Sequence, residues 1–588
     1  MTRRLLLLLA LLSCLPTFAQ QRPDPKQALD GIDALIDNAL ADQKIAGAAV
    51  GVIVDGEVVL LKGYGWRDVA GRKPFTPDTM LPIASVTKQF TVASLGTLVR
   101  QGKLDWDKPV REYMPEFRVH DDYATLNATP RDLVTHRIGL PRHDAAWFGS
   151  TATREELYGR LQHFEFNKDI RTRFQYNNFM YMTAGYLAGR LAGKSYEEHV
   201  RTSLLEPLGM TRTNFSLASV GKDAEGAIGY QFNNERTDLV PDRYESAEQM
   251  APTGGLNSTA RDLLRWLRML LAGGTIDGKR ILQESDVQAM MQPNMPIGPS
   301  PFAEIGFRSY GMGLFIENYR GHEVALHGGN MPGSATAVFM IPRQKIGIVV
   351  LTNRSSARLR DGLPYEIADR LLGLPSANMV ARFGDLEKKS FAGEAAAKAA
   401  GAEVRRTGTR PSHAIDEYAG QYRHPGYGLV DVKQESERLV LTYNGFSAPF
   451  EHWHYDVFRG PDDRTSRLYR MRVQFESDLE GDISGVAIPL EPNVAPIVFV
   501  RQPPVEMTQR AFLERFTGTY DLGGVDVRIA LREDGVLQYI QLGTVRELVP
   551  VRGTIFRMKD LTGVSVEFRP DGRMAVHSGT STIANKKQ

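Results

Sequence analysis

Cysteine is almost absent from this chain: Cys14 is the only one among 588 residues. It lies within an amino-terminal segment that we expect to be cleaved. A mature chain without cysteine can form no disulfide, no thiolate metal site and no cysteine nucleophile. The catalytic chemistry left to the protein is that of hydroxyl, carboxylate, imidazole and amine groups.

The amino-terminal segment has the pattern of a secretory signal. Two arginines precede the apolar residues 5–12, and Thr17-Phe18-Ala19 forms a small-x-small cleavage site. We therefore predict a signal peptide over residues 1–19, a mature chain that begins at Gln20, and a periplasmic or secreted protein. The alternative is a lipoprotein signal that ends at Cys14.

Long hydrophobic runs and a charge excess are also missing. No later stretch of eighteen apolar residues occurs, so we expect no transmembrane segment. The 71 basic and 69 acidic residues nearly cancel, giving a net charge of +2. This balance excludes the basic footprint of a nucleic-acid-binding protein. His452 and His454 alternate on a predicted strand, but without a third ligand we predict no metal site. We also expect no cofactor, and the oligomeric state is left open.

Three short motifs follow one another in the chain: Ser85-Val86-Thr87-Lys88, Tyr176-Asn177-Asn178 and His327-Gly328-Gly329-Asn330. A serine and a lysine three residues apart share a helix face, with Cβ atoms about 5–6 Å apart. The lysine can then act as the base that a serine hydroxyl needs to become a nucleophile. The apolar approach 80–84 and the helical spacing of residues 87–99 place Ser85 at the start of a helix.

Each motif residue has a catalytic interpretation and a structural one. Ser85 is predicted to be the nucleophile, although a serine at this position can also cap a helix. Lys88 is either a base whose pKa is lowered by burial or a cation that keeps Tyr176 ionised; its structural interpretation is a solvated lysine on the helix. Tyr176 is predicted to carry protons to the leaving group, or else to pack in the core. Asn178 is expected to bind a substrate amide, and it can equally cap a helix.

A second Ser-x-x-Lys occurs at Ser219 and Lys222, beside Gly221. Its short polar surroundings favour a loop rather than a catalytic helix. The sequence contains no Gly-x-Ser-x-Gly, which disfavours hydrolases with a nucleophile elbow.

The ordered motifs resemble those of the serine β-lactamase and penicillin-binding-protein superfamily, in its class C-like branch. Further stretches that resemble this family are 62–65, 135–141, 206–210 and 254–259. The resemblance covers roughly residues 32–374. It implies an α+β catalytic domain, an antiparallel sheet with helices and an inserted helical subdomain, with the three motifs in the groove between them.

The third motif departs from the β-lactamase pattern because His327 stands where Lys-Thr-Gly is usual. The fixed positive charge that meets a substrate carboxylate is then missing, as in family esterases and D-amino-acid peptidases. His327 is expected to donate a hydrogen bond or to become charged near its reference pKa of about 6.5. Gly328 and Gly329 would leave room for the substrate backbone. The resemblance implies an oxyanion hole formed by the backbone N–H groups of Ser85 and Asn330.

Local patterns predict the elements around these motifs. We expect a helix over residues 28–41, a hairpin of strands 48–54 and 58–62 turning at Asp55-Gly56, strands 336–341 and 346–351, and a closing helix over 358–372. The expected divisions are a hydrolase domain over residues 20–375, a partly helical linker over 376–411, and two further domains over 412–503 and 504–588.

The last two domains are predicted from an internal repeat. Tyr418-Ala419-Gly420-Gln421-Tyr422 matches Phe516-Thr517-Gly518-Thr519-Tyr520, and Val430-Asp431-Val432 matches Val525-Asp526-Val527. Period-2 alternation within each copy indicates short strands. We therefore predict two small antiparallel β-barrels, similar to the lipocalin-like barrels of some secreted family members.

The sequence thus predicts a secreted serine hydrolase. It would cleave amide or ester bonds through an acyl-Ser85 intermediate, on D-amino-acid peptides, cell-wall-derived peptides or small esters. Two alternatives remain: a β-lactamase proper, and a non-catalytic protein that binds penicillin or peptidoglycan fragments on the same fold.

Overall fold

The computed structural model describes residues 22–245, 248–399 and 405–587. The predicted signal peptide, including Cys14 and the Ala19/Gln20 junction, lies outside the described residues. The central element is a nine-stranded antiparallel sheet. Its strands, in spatial order, are Met295–Pro296, Ile305–Tyr310, Phe315–Tyr319, His322–Met331, Ser334–Ile341, Ile346–Thr352, Gly47–Val54, Glu57–Asp68 and Lys73–Pro74.

The middle of this sheet is buried on both faces. Every residue of Gly47–Val54 is buried, and its side chains alternate between two hydrophobic cores, as the period of a strand requires. Ala49 and Ile53 belong to the core on the helical side, whereas Val50 and Val52 belong to the core beneath the terminal helices. The predicted turn is present: Asp55 and Gly56 both have positive φ, which suits a two-residue hairpin.

A large helical part is inserted between strands Lys73–Pro74 and Met295–Pro296 and packs on one face of the sheet. Two of its helices begin within the first two sequence motifs, Thr87–Arg100 and Asn178–Ala192. The other α-helices of this part are Asp122–Asn127, Pro130–Val134, Arg154–Gly159, Tyr196–Val200, Glu206–Leu208, Leu217–Lys222, Ala251–Gly254, Ala260–Leu271 and Glu284–Met291. Within the described ranges, every helix is too short or too polar to cross a lipid bilayer.

The opposite face of the sheet is covered by Ile32–Asp42 and Leu359–Leu371. The predicted helix 28–41 is two helices, because Gly31 adopts a left-handed conformation between Pro25–Ala28 and Ile32–Asp42. The segment expected to be a linker contains the helix Met379–Ala399. That helix is fixed to the catalytic part, since Phe383 stacks on Tyr365 and Glu387 pairs with the buried Arg354 at 2.9 Å.

The prediction of two antiparallel barrels is confirmed: each is closed and has eight strands. We call residues 420–501 the first barrel and residues 518–586 the second barrel. The first consists of Gly420–His424, Gly428–Glu435, Arg438–Tyr443, Phe446–His454, Val457–Arg459, Arg472–Ser477, Ile483–Ile488 and Ile497–Arg501. The second consists of Gly518–Leu522, Val525–Leu531, Leu537–Gln541, Thr544–Arg552, Ile555–Met558, Val564–Phe568, Met574–Ser578 and Thr580–Lys586.

The repeat detected in the sequence has a physical basis in the barrels. Tyr422 and Tyr520 are buried at equivalent positions, and each hydroxyl donates to the carbonyl four residues earlier, at 2.7 and 3.0 Å. The two barrels nevertheless differ in how they are attached. The first shares one continuous hydrophobic core with the helical part, whereas the second has a core of its own.

Candidate active site

Ser85 lies in the 3₁₀ turn Ala84–Val86, directly before the helix Thr87–Arg100. Ala84 has a φ of +46°, a conformation that costs a residue with a side chain roughly 1–2 kcal/mol. Backbone strain of this kind is concentrated at functional sites. The helix begins after Val86 without a side-chain cap, so Ser85 does not have the capping role that was its structural alternative.

The turn that carries Ser85 is attached to the central sheet. Thr336 donates a hydrogen bond to the carbonyl of Ile83 at 2.9 Å, and Ser334 donates one to the carbonyl of Pro82 at 3.0 Å. Both come from the strand Ser334–Ile341. The turn of Ser85, which we call the nucleophile turn after its predicted role, is therefore held by the sheet on one side and by its own helix on the other.

Lys88 is completely buried one helical turn beyond Ser85. Its Nζ donates to Asn178 Oδ1 at 2.9 Å and to the Thr253 carbonyl at 2.8 Å, and it lies within hydrogen-bonding distance of Ser85 Oγ, at 3.2 Å. None of these partners is an anion. Burial therefore lowers the pKa of Lys88 well below its ordinary value, and the Arg142 cation lowers it further.

Tyr176 lies across the same group. Its hydroxyl interacts with Ser85, and its ring faces two nitrogen-bearing groups, with Lys88 Nζ 4.9 Å and the Arg142 guanidinium 5.0 Å from the ring centroid. Burial raises the pKa of Tyr176 even though the bond to Ser85 and the charge of Arg142 lower it. The phenol consequently keeps its proton at neutral pH. This arrangement favours a neutral lysine beside a neutral phenol over the alternative of an ionised Tyr176.

The two asparagines after Tyr176 have different roles. Asn177 is the helix cap: its side chain accepts from the Met180 N–H at 2.9 Å, so the capping alternative for Asn178 is wrong. The Asn178 amide instead connects Lys88 to Asp144. Its oxygen accepts from Lys88, and its nitrogen donates to Asp144 Oδ1 at 2.9 Å.

His327 is buried in the strand His322–Met331, and both of its ring nitrogens are engaged by the protein. Nδ1 lies 2.8 Å from the Gly328 carbonyl, so it must carry the proton; Nε2 then accepts from the Tyr310 hydroxyl at 3.1 Å. Burial lowers the pKa of His327 to about 3, and the charge of Arg360 acts in the same direction. The imidazole is therefore neutral at physiological pH and does not become charged near pH 6.5.

The glycines that follow His327 allow two close approaches. A Cβ on Gly329 would lie 2.1 Å from the Ile83 carbonyl oxygen, in the chain leading to Ser85. A Cβ on Gly328 would lie 3.4 Å from the Arg360 guanidinium, which also donates to the Gly329 carbonyl. Asn330 lines the same cavity as Ser85, while its side-chain oxygen accepts from the Ser356 N–H at 2.8 Å. Close packing of this strand onto the nucleophile turn thus accounts for Gly329.

A cavity of about 220 Å³ opens beside Ser85. Sequence reasoning missed most of its wall, including Arg142, Asp144, Trp147 and Glu245. Asp144 accepts from Asn178 and, at 2.8 Å, from the Trp147 indole N–H, and it pairs with Arg142 at 2.6 Å. The charged triplet 142–144 was the available signal, but no residue spacing connects it to the three motifs.

The structure also places two further groups outside the motifs. Ser219 and Lys222 lie on the short helix Leu217–Lys222, so the prediction of a loop there is wrong; Lys222 is exposed. His136, in one of the stretches that resemble the family, packs against the Tyr176 ring with centroids 4.2 Å apart, and its Nδ1 accepts from the Asn177 N–H at 3.1 Å. His136 therefore supports the Tyr176-Asn177-Asn178 motif by packing on its tyrosine and accepting a hydrogen bond from its backbone.

Comparison with known proteins gives independent information. A family model described as Beta-lactamase matches residues 32–372, and one described as a domain of unknown function, DUF3471, matches residues 404–501. Unguisins hydrolase ungD′ of Aspergillus campestris is 28% identical over 420 residues, which cover 68% of this chain and 76% of that protein. Protein flp of Staphylococcus aureus is 25% identical over 329 residues, covering 55% of this chain and 63% of that protein.

Among solved structures, the octameric penicillin-binding protein homologue from Pyrococcus abyssi is similar over nearly its whole length. The TM-score is 0.54 at 20% sequence identity, and the alignment covers 94% of this chain and 99% of that one. At this identity the likeness concerns the fold. It extends beyond the region matched by the family model and into both barrels.

Proposed function

Because the chain belongs to the beta-lactamase family, whose model spans residues 32–372, we propose that it is a secreted serine hydrolase acting through an acyl-Ser85 intermediate. The observation that carries the proposal is the contact of Ser85 Oγ with Lys88 Nζ at 3.2 Å, in a site where burial favours the neutral amine. A neutral amine at hydrogen-bonding distance is the base that a serine nucleophile requires.

In the proposed acylation, Lys88 takes the proton of Ser85 as Oγ attacks the substrate carbonyl. The oxyanion that forms would accept hydrogen bonds from the backbone N–H groups of Ser85 and Asn330; such a donor stabilises the transition state by roughly 3–4 kcal/mol in other enzymes. Tyr176, which is protonated and interacts with Ser85, passes a proton to the departing nitrogen or oxygen and regains one from Lys88. Water then attacks the acyl group, and the same groups return Ser85 to its starting state.

Amide or ester substrates with small or peptide-like acyl groups fit the site better than β-lactams do. The reason is the neutral, fully engaged His327, which supplies no positive charge for a substrate carboxylate at its position. D-amino-acid peptides, cell-wall-derived peptides and small esters are the proposed substrate classes. The Aspergillus relative is named as a hydrolase, which is consistent with this reaction type.

Active-site labelling tests the proposal. Wild-type protein treated with a fluorophosphonate or a penicillin should gain one adduct by intact mass, and Ser85→Ala should gain none. Ser219→Ala removes the serine of the other Ser-x-x-Lys and should label like wild type. A wild-type protein that gains no adduct and turns over no ester, D-aminoacyl anilide or cephalosporin would contradict the proposal and favour a binding protein.

A further inference from the structure

The cavity beside Ser85 is bounded by a short segment that we call the pocket loop, residues 142–149. It supplies Arg142, Asp144, Trp147 and Phe148 to the cavity wall. Its backbone is unusual, because His143 has a φ of +49° and Gly149 one of +71°. A loop with a non-glycine residue in the left-handed region needs contacts from outside to hold it.

Those contacts come from the first barrel. The buried His143 ring has Nε2 2.9 Å from the Glu165 carbonyl, so Nε2 carries the proton and Nδ1 accepts from the Tyr427 hydroxyl at 2.6 Å. The backbone N–H of His143 donates to Glu491 Oε2 at 3.0 Å. Tyr427 and Glu491 thus hold the strained residue by its side chain and its backbone.

A hairpin of the same barrel holds the next part of the loop. The Tyr443 hydroxyl and the Asn444 amide both donate to the Ala145 carbonyl, at 2.9 and 2.8 Å. The Phe446 ring stacks on Phe148 with centroids 5.7 Å apart. A Cβ on Gly149 would lie 2.4 Å from the Phe446 ring, so the hairpin and the loop are in direct contact.

The opposite wall of the cavity is also tied to the first barrel. Arg467 pairs with the buried Asp242 at 3.0 Å and lies 3.8 Å from Glu245, which lines the cavity. Four connections of the barrel are involved, those that follow its first, third, fifth and seventh strands. They contain or adjoin, in this order, Tyr427, the Tyr443 hairpin, Arg467 and Glu491. In an up-and-down barrel these alternate connections share one end. That end therefore meets the catalytic part on both sides of the cavity.

The pocket loop is in turn connected to the catalytic groups. Asp144 fixes the Asn178 amide at 2.9 Å, and the Asn178 oxygen fixes Lys88 Nζ at 2.9 Å. A shift of the loop would therefore change the position of the base, and a misplacement of about 1 Å in a catalytic geometry can cost roughly 100-fold in rate.

We propose that the first barrel is a structural wall of the active site: Tyr427 and Glu491 are positioning residues that set Asp144 and Lys88 through the pocket loop, and Phe446 shapes the acyl pocket through Phe148. The inference rests on the proposed acyl transfer at Ser85. It assigns to the first barrel a role in rate and acyl-group preference rather than the binding of a separate ligand.

Steady-state kinetics on the full chain test this role, with two chromogenic esters that carry an acetyl and a bulky aromatic acyl group. Tyr427→Phe and Glu491→Gln should lower kcat for both esters by about tenfold or more, since the base loses its alignment. Phe446→Ala, in a partly exposed hairpin, should raise KM several-fold for the aromatic ester and raise it much less for the acetyl ester. This split between kcat and KM would not arise from a general loss of stability.

Tyr422→Phe is the matched control. It removes a buried tyrosine hydroxyl from the same barrel, one that donates only to the Tyr418 carbonyl, and it should leave both constants near wild type. The inference is overturned if Tyr427→Phe, Glu491→Gln and Phe446→Ala all behave like Tyr422→Phe. Fluorophosphonate labelling of wild-type Ser85 separates the two proposals, because an unlabelled and inactive wild type contradicts the reaction itself.

Discussion

At the scale of single residues, the site depends on which charged and neutral groups surround Lys88. An amine removed from water without an adjacent anion gives up its proton more readily. The Asp144 carboxylate is connected to Lys88 through the neutral Asn178 amide. The amide thus keeps a counter-ion close enough to order the lysine without pairing with it directly.

The pH dependence of acylation should report this environment. Because the pKa of Lys88 is lowered, the amine is neutral over a wider range than an exposed lysine, and the rate should fall only as pH drops through that lowered value. The acid limb of kcat/KM should therefore lie well below pH 10. Lys88→Arg keeps a permanent cation and should reduce kcat/KM by about 10³-fold at every pH. A limb near the ordinary lysine value would show that burial does not tune the base.

Tyr176→Phe tests the path of the second proton. The variant keeps the ring beneath Lys88 and Arg142 but loses the hydroxyl that contacts Ser85. We expect kcat to fall by roughly 10²–10⁴-fold, more for anilides than for nitrophenyl esters, because a nitrophenolate leaves without a proton. Stopped-flow acylation with the two leaving groups measures the difference. Equal losses on both would assign Tyr176 to packing alone.

His327 should contribute no titration between pH 5 and 9. Its pKa of about 3 means that it becomes protonated only at strongly acidic pH. His327→Gln, which stays neutral and can hydrogen bond with Tyr310, should shift no limb of the pH–rate profile of kcat/KM. Loss of an inflection near pH 6.5 in the variant would instead identify a charged imidazole in the wild type.

At the scale of elements, local sequence patterns predicted the structures that neighbouring residues determine. The Asp55-Gly56 turn, the strand bearing Thr336 and the helix after Ser85 are encoded by spacing and turn chemistry within a few residues. The predictions that were wrong depended on the backbone conformation of a single residue or on contacts between residues distant in sequence. Gly31 divides a helix whose apolar spacing continues across it, and Asn177 caps in place of Asn178 because the chain turns one residue earlier.

The pocket loop illustrates the limit more clearly. Asp144 is some 34 residues from Asn178 in sequence, and nothing periodic connects them. Family motifs placed Ser85, Lys88 and Tyr176 correctly beside one another, but they carried no information about a wall that another domain holds in place.

The fit between the His327 strand and the nucleophile turn can be tested with one methyl group. Gly329→Ala would place a Cβ 2.1 Å from the Ile83 carbonyl oxygen and 2.4 Å from Thr336 Oγ1, so the strand must move away from Ser85. We expect a loss of activity of about 100-fold and a lower Tm. Gly306→Ala is the matched control, because a Cβ there meets nothing closer than 3.7 Å. Similar behaviour of the two variants would contradict the close contact.

At the scale of the whole molecule, the important division does not fall between the catalytic part and the two barrels. Phe164 packs against both Phe179 of the helical part and Tyr427 of the first barrel, with centroids 4.6 and 5.6 Å apart. These residues belong to one continuous core. The second barrel contributes to neither that core nor the one beneath the sheet.

Truncation should reveal this division. A chain that ends after Pro504 loses only the second barrel and should keep kcat/KM and the main thermal transition. A chain that ends after Leu374 exposes the face of Phe164 and releases the pocket loop, so it should lose activity and aggregate. Kinetics and calorimetry on the two truncated chains provide the measurement. Full activity in the shorter chain would show that the shared core is dispensable.

The contact between the pocket loop and the first barrel also restricts how such proteins can be recombined. A barrel grafted from a relative would bring its own loop ends to the rim of the cavity, and these would fit only a segment 142–149 that had changed together with them. Exchange of acyl-group preference between family members should therefore require transplanting both pieces at once, although they are separated by nearly three hundred residues of chain.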